Sequence, residues 1–435
     1  MFKIIVWGTG DRGKTAAEIF GTDRINAFID SDPQKIGKFF YNKPIIDFET
    51  YKFNYSKHPI LVSIVLENDI TKILKEEQIF YFSYNECPPE LMGYGWKNAK
   101  KHLDLFSLCK KKVAVYGHTL YSLLVYEYLI KHKYQCRGLI PSFPLPELIM
   151  KSFHKFFPFV NISEIGNIDN DTTILQTISD YDCEISLKDC NLKNIFDWKD
   201  LIPEYYNPKI ALLQNKYHGK RCFIVATGPS LTFHDLEMLH RHNEFCISLN
   251  TIYHVFDETD WRPDQYVIVD VGAINLYENA VREMNVKEKF IADSSIDFDY
   301  STLTDEFYIF HSIFTKNTLK EGLISSDFAK YVFNSGTVTA VSLQLAMFEG
   351  FEQIYLLGCD CSYLKTGLKH FNEPNDKMQK GRFGLLDRVI EMSYYHINGY
   401  QKIKEYAESK GIKIYNATRG GYVEVFERVN FDELF

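Results

Sequence analysis

Between Arg221 and Asn416, seven short apolar runs each stop at a small or hydrogen-bonding residue. Gly228 and Ser230 follow CFIVAT, Asn250 follows EFCISL, Asp270 follows QYVIV, and Ser294 follows KFIAD. His311 follows EFYIF, Asp360 follows QIYLLGC, and Asn416 follows IKIY. Runs that stay apolar for four to six residues fit strands buried on both faces. Open α/β sheets bind ligands outside the carboxyl ends of such strands. Hydroxyls, amides and carboxylates gathered there could hold the phosphate and ribose of a nucleotide.

Two loops of small residues sharpen that expectation. In Thr227-Gly228-Pro229-Ser230-Leu231, Gly228 permits an unusual turn, while Pro229 lacks an N–H and fixes its own φ. Ser230 is expected to cap the helix FHDLEMLHR or to donate to a phosphate oxygen, since free backbone N–H groups at a helix start form an anion site. Asn334-Ser335-Gly336-Thr337 stands in the same relation to VTAVSLQLAMFEGF. After Asp360 comes a long polar stretch, CSYLKTGLKHFNEPNDKMQKGRFG, of the kind that forms lids. Within it, His370 is suited to general-base work near neutrality and Tyr363 to hydrogen-bonding a departing phosphate without a metal. His396, in MSYYHINGYQKIKEYAESK, reads as a packed helical residue.

The elements that must carry these groups alternate strand and helix, which implies parallel sheets covered by helices. The N-terminal half does so twice. KIIVWG, INAFID and HPILVSIV recur in order as KVAVYG, CRGLIP and TTILQTIS, with helices DRGKTAAEIF and SLLVYEYLIKH after the first strands. The first copy carries Gly8, Gly10 and Gly13 in G-x-G-x-x-G spacing and Asp30 at the end of its second strand. That spacing fits a nucleotide-binding fingerprint, and equally fits close helix–sheet packing. The second copy reads G-H-T-L-Y-S from Gly117 and has Pro141 at the place of Asp30. It therefore lacks the means to bind a nucleotide in that way.

The linker IPEYYNPKIALLQNKYHGKR separates the two halves. The expected fold is α/β: tandem Rossmann-like half units at residues 1–108 and 109–207, then a larger doubly wound, mostly parallel-sheet nucleotide-binding domain at 208–435. A chain of 435 residues suits about three units. With 46% hydrophobic and 24% charged residues it is neither disordered nor a disulfide scaffold. A net charge of −8 argues against a general nucleic-acid binder. Nine cysteines show no metal-ligand spacing, Cys359 and Cys361 being too close and isolated for zinc. The opening MFKIIVWGTG reads as a strand rather than a signal peptide, and no apolar run approaches the ~20 residues of a membrane span. These features suit a cytoplasmic protein, and they leave homo-oligomerisation open.

Three blocks carry a resemblance: GKRCFIVATGPSL, NSGTVTAVSLQLAMFEGFEQIYLLGCD and KIYNATRGGYVEVFERVNFDELF. With the strand ending at Asn250, they resemble the superfamily of 6-hydroxymethylpterin diphosphokinase MptE-like proteins and flagellar motility accessory factors that handle nonulosonic acids. They are also similar to bacterial sialyltransferases of glycosyltransferase family 42. The likeness spans residues 220–435. FIDSDPQKIGK, within the first 50 residues, resembles N-terminal modules of bacterial sugar-modifying transferases. The sialyltransferase pattern implies that Gly228, Pro229, Ser230 and Asn250 contact a donor nucleotide, with Asp270 standing where that family has asparagine. It implies that Ser335 and Gly336 hold the donor, and that Asp360 matches the acid after the G-x-D strand. Tyr363 matches a tyrosine of the family, and His370 its lid histidine, the general base.

The expected activity is glycosyl transfer from a nucleotide sugar, such as a CMP-nonulosonate, to a surface-glycan acceptor by direct displacement. His370 would take the acceptor proton, while Tyr363 and backbone N–H groups would stabilise the leaving phosphate. This scheme requires no metal. The alternative is a pterin diphosphokinase-like pyrophosphoryl transfer, with Mg²⁺ held by Asp270, Asp293 and Asp360. Against it, the chain has no P-loop lysine at Walker spacing. A third reading is a non-catalytic nucleotide-binding partner in glycan assembly.

Overall fold

The computed structural model describes residues 3–64, 68–84, 112–145, 171–178, 205–295, 298–314, 321–362 and 386–435. It also describes residues 147, 150–151, 158–160, 187, 194–197, 319 and 371. The chain divides into two compact units, Met1–Glu204 and Tyr205–Phe435. That division falls within the predicted linker; the boundary expected at 108 lies outside the described residues.

Unit 1 begins with β1 (Ile4–Trp7), α1 (Asp11–Phe20), β2 (Ile25–Ile29), β3 (Phe39–Phe40) and β4 (Lys43–Ile46). It continues with α2 (Phe48–Asn54), β5 (Ile60–Val62), α3 (Asn68–Glu76) and β6 (Tyr81–Ser83). These strands form a sheet in the order β3-β4-β2-β1-β5-β6, parallel except for the short β3–β4 hairpin. A second series, β7 (Lys112–Tyr116), α4 (Leu120–Lys131), β8 (Gln135–Ile140), β9 (Thr172–Gln176) and β10 (Ile195–Asp197), forms a sheet ordered β10-β9-β7-β8. In each sheet the first strand lies between the two that follow it in the repeat: β1 between β2 and β5, β7 between β8 and β9. A register shift recurs at the same place, between Ile4 and Ile5 in one copy and between Val113 and Ala114 in the other.

The ends of β1 and β7 differ in chemistry. Gly8 has φ +121°, and a Cβ there would sit 2.7 Å from Ile64; a Cβ at Gly13 would sit 2.0 Å from the Gly8 carbonyl. Close packing thus accounts for both glycines, while Gly10 has open space beside it. Asp30 accepts from the Thr9 hydroxyl, from Lys35 Nζ at 2.9 Å and from the Asp32 amide at 2.9 Å. These bonds outweigh partial burial and hold its carboxyl below the usual range. In the second copy, hydroxyls fill the equivalent place. Thr119 and Ser122 form a capping box, and Thr177 Oγ1 lies 2.8 Å from both the Tyr116 carbonyl and Ser122 Oγ.

Unit 2 opens with α5 (Pro208–Ala211), β11 (Arg221–Val225), α6 (Phe233–Arg241), β12 (Cys246–Leu249) and β13 (Gln265–Ile268). Then come α7 (Val271–Leu276), α8 (Glu278–Glu283), β14 (Glu288–Ala292), β15 (Phe307–Phe310), β16 (Ser312–Ile313) and β17 (Val332–Phe333). The last elements are α9 (Val338–Phe348), β18 (Gln353–Leu357), α10 (Leu386–Ser409), β19 (Lys413–Asn416) and β20 (Glu427–Arg428). Eight strands pair in parallel in the order β15-β14-β13-β12-β11-β18-β19-β20; β16 and β17 pair separately. The chain steps outward from β11 to β15, then crosses back to lay β18 on the other side of β11. The strand order reverses there, which in a doubly wound sheet opens a crevice at the carboxyl ends.

α9 explains itself by burial. All its residues from Thr339 to Phe348 are buried, as suits a helix apolar on every side. It packs on β11, β12 and β13, and α10 covers it.

Candidate active site at the strand reversal

At the reversal, the turns that leave β11 and β18 lock together. The Gly228 amide donates to the Gly358 carbonyl at 2.9 Å. Ser230 donates to Asp360 Oδ2 through its hydroxyl at 2.7 Å and through its amide at 3.3 Å. A Cβ at Gly228 would meet Asp360 Oδ2 at 2.0 Å and the Gly358 carbonyl at 2.3 Å. Only glycine fits, because the Asp360 carboxylate occupies the space a side chain would need. Gly358 has φ +69° and Cys361 φ +47°, so the β18 turn is left-handed on both sides of Asp360. The Tyr422 amide donates to the Asp360 carbonyl at 2.8 Å, which brings the loop after β19 over the same point.

The start of α6, where an anion site is expected, is capped by the chain itself. Thr232, not Ser230, is the N-cap, and it forms a capping box with Asp235. Thr232 Oγ1 accepts from the Asp235 amide at 3.2 Å, while Asp235 Oδ2 accepts from the Thr232 amide at 2.9 Å. Asp235 is fully buried and pairs with Arg419. A carboxylate of the chain therefore already sits at that helix start. Ser230 is left to serve Asp360. The T-x-x-D spacing was readable and would have placed the cap.

The second loop lies against a helix. Ser335 is 1% exposed, and a Cβ on Gly399 of α10 would meet its own at 2.4 Å. The Gly336 amide donates to Asn334 Oδ1 at 2.9 Å, and the Gly336 carbonyl accepts from His396 Nε2 at 2.9 Å. Ser335 and Gly336 are thus seated on α10. Burial pushes the His396 imidazole down to about 4, so it is neutral at pH 7 and holds the loop by its Nε2–H. The following residues reach the β18 end: Thr337 caps α9, and Thr339 Oγ1 lies 3.8 Å from Cys359 Sγ.

Next along the edge, Asn250 ends β12 with φ +50°. Its carbonyl accepts from the Tyr266 hydroxyl at 2.7 Å, while its buried Oδ1 has no hydrogen-bond partner among the described residues. Asp270 ends β13 and caps α7 by accepting from the Ala273 amide at 3.0 Å. Gly228, Pro229, Ser230, Asn250, Asp270 and Asp360 therefore fall on one edge, at the ends of β18, β11, β12 and β13. Three other strand ends go to structure. Ser294 donates to the Val269 carbonyl, Asn416 holds Val423 and Thr418, and His311 pairs with Asp293.

The Asp293–His311 pair, 2.7 Å apart, is buried beside Tyr205. Asp270, Asp293 and Asp360, the three carboxylates of the magnesium scheme, are thus each engaged elsewhere. Among the described residues no three His, Cys, Asp or Glu side chains gather to hold a metal. Tyr363 and His370 lie outside the described residues. Phe371, which follows His370 in the chain, donates its amide to the Thr227 carbonyl at 2.7 Å, and its ring lies 5.1 Å from that of Phe233 at a tilt of 59°. Among the described residues no helix is long and apolar enough to cross a membrane.

Residues 198–366 match the family model described as 6-hydroxymethylpterin diphosphokinase MptE-like. The match covers this stretch of the chain and not the whole of it. Its span takes in β11 to β18 with every predicted donor-binding residue of that sheet, and Tyr363; His370 falls just beyond it. The MAf glycosyltransferase from Magnetospirillum magneticum AMB-1 is similar in structure over 85% of this chain and 67% of its own, at 13% identity and a TM-score of 0.35. No curated protein matches this sequence. The resemblance read from GPSL and NSGTVTAV thus agrees with the family model for the MptE-like domain.

Proposed function

We propose that the MptE-like domain is a nucleotide-sugar-dependent glycosyltransferase. The observation that carries this reading is the reversal of strand order between β11 and β18, with Gly228, Ser230 and Asp360 in contact there. In this proposal the donor nucleotide lies along the carboxyl ends of β18, β11, β12 and β13. The unpaired Asn250 Oδ1 accepts a hydrogen bond from base or ribose. Asp360, held by Ser230, accepts from a donor hydroxyl. Ser335 and Gly336 act one step removed, by fixing the start of α9 against α10. Catalysis is assigned to His370, as base toward the acceptor hydroxyl, and to Tyr363, on the leaving phosphate. A CMP-nonulosonate donor and a surface-glycan acceptor remain part of the proposal through the sequence resemblance alone.

The described carboxylates favour glycosyl over pyrophosphoryl transfer. A magnesium-held triphosphate wants carboxylates that converge, whereas Asp293 is committed to His311 and Asp270 to α7. The test is donor turnover without acceptor, using CMP-, UDP- and GDP-sugars and reading free nucleotide by chromatography. Slow release from one donor class is expected. His370→Ala should abolish that release while nucleotide binding persists. No release from any donor, with magnesium-dependent ATP turnover instead, would replace the proposal with the diphosphokinase reading.

A further inference from the structure

Beyond Asn250 and Asp270, the same edge of the sheet holds a cleft of about 340 Å³, the size of a small-ligand site. Its wall is built by the two segments those residues begin, the 3₁₀ turn Asn250–Val255 and the α7–α8 pair. The lining includes Tyr253, Asn275, Leu276, Tyr277, Glu278 and Asn279. The two tyrosine rings stand 5.9 Å apart at 65°. A corner of that angle cannot sandwich a flat base, but it suits a puckered ring presenting C–H groups to one face and edges to the other. Asn275 and Asn279 are exposed at its rim, Asn275 with its Oδ1 already accepting from the Ser295 hydroxyl at 2.6 Å. Among the described residues no lysine or arginine lines the cleft. Glu278 does, and its carboxylate takes a hydrogen bond from Arg282 Nε at 3.0 Å. The charge at the cleft is thus a Glu278–Arg282 ion pair, its guanidinium 2.9 Å from the carboxylate, so an anionic ligand would have to compete with Glu278 for the arginine whereas a neutral one would not.

We infer that this cleft binds a neutral carbohydrate ring. The inference rests on the transferase reading for its meaning, as the place of a neutral sugar beside the donor, but its binding test stands apart. The full chain is examined by saturation-transfer NMR with neutral methyl glycosides (gluco, galacto, manno and N-acetylglucosamine), with N-acetylneuraminic acid and CMP as contrasts. At least one neutral glycoside should receive saturation, and N-acetylneuraminic acid none in this cleft. Tyr253→Ala and Tyr277→Ala should each weaken that glycoside about five- to tenfold, the loss of one aromatic contact. Because either tyrosine could also support the fold, Asn279→Ala at the exposed rim serves as the clean variant, with Asn275→Ala, which also releases the buried Ser295 hydroxyl, beside it; both should weaken it too. CMP binding should be unchanged in all four. The inference is overturned if no neutral glycoside binds, if binding ignores all four substitutions, or if the tyrosine variants lose CMP, which would make the cleft a base pocket. Loss of CMP binding by the native chain with glycoside binding intact would sink the nucleotide reading and leave the cleft standing.

Discussion

At the residue scale, the account turns on groups whose neighbours leave them little freedom. Gly228→Ala places a methyl 2.0 Å from the Asp360 carboxylate. Displacing it should cost about 1–3 kcal/mol of stability, read by urea denaturation, and should remove nucleotide binding. Ser230→Ala loses only a hydroxyl, should cost about 1 kcal/mol, and should leave the fold intact. Asn250 gives a cleaner test, since its φ of +50° suits glycine. Asn250→Gly relieves the backbone, removes the unpaired amide oxygen, and should weaken nucleotide binding without lowering the melting temperature. An unchanged affinity would dismiss Asn250 as a ligand contact. His396 offers a pH signature. Its folded value of about 4 lies below the ordinary one, so the unfolded chain takes the proton first as pH falls. The stability contributed by this neutral, buried ring is complete above about pH 6.5 and drains away toward pH 4, by about 3 kcal/mol. His396→Gln should flatten that slope in thermal melts between those pH values.

At the element scale, α9 joins two very different environments. Its start is held by Thr337 and α10 near the crevice, and its end is capped by Glu349. Gln265 Nε2 donates at 2.7 Å to both Glu349 and Glu288, and Lys216 pairs with Glu288 at 2.9 Å. Burial raises the Glu349 carboxyl to about 8, against which the bond from Gln265 works only in part. A raised folded value means that the stability this acid contributes is fully present below the ordinary carboxyl value of 4.5 and is lost as pH rises from there to about 8. Melting temperature should therefore fall across that range, and Glu349→Gln should hold it level. An equal fall in the variant would show that α9 does not depend on a neutral acid. The apolar runs of strands and of α9 were legible because burial on both faces leaves no polar alternation. What the runs did not contain was their order in the sheet, which long-range packing decides. The α6 cap was missed at Ser230 because two competing hydroxyls stand two residues apart, and only Thr232 has an acid three residues on.

At the scale of the whole molecule, the two described sheets of unit 1 and the eight-stranded sheet of unit 2 share a strand–helix grammar but not a chemistry. The second copy fills its strand ends with Thr119, Ser122 and Thr177; the first closes Asp30 with Thr9 and Lys35. All three of these sheets reverse strand order, but among the described residues an amide oxygen without a partner at such strand ends occurs in unit 2, at Asn250. Nucleotide binding should consequently survive Asp30→Asn, measured by calorimetry, and a loss there would move the site to unit 1. The glycine spacing at residues 8–13 was legible, but its dual use in packing was decided only by contacts with Ile64 and Gly8. The most direct measurement of the central claim is a thermal-shift panel of CMP, CDP, UDP, GDP and ATP, with and without Mg²⁺, on the native chain and on Gly228→Ala. The account predicts that one nucleotide, CMP for a nonulosonate donor, stabilises the native chain by about 2.7 kcal/mol at 100 times its Kd, without magnesium, and has no effect on the variant. Equal stabilisation of both proteins, or stabilisation by ATP only when magnesium is added, would contradict it.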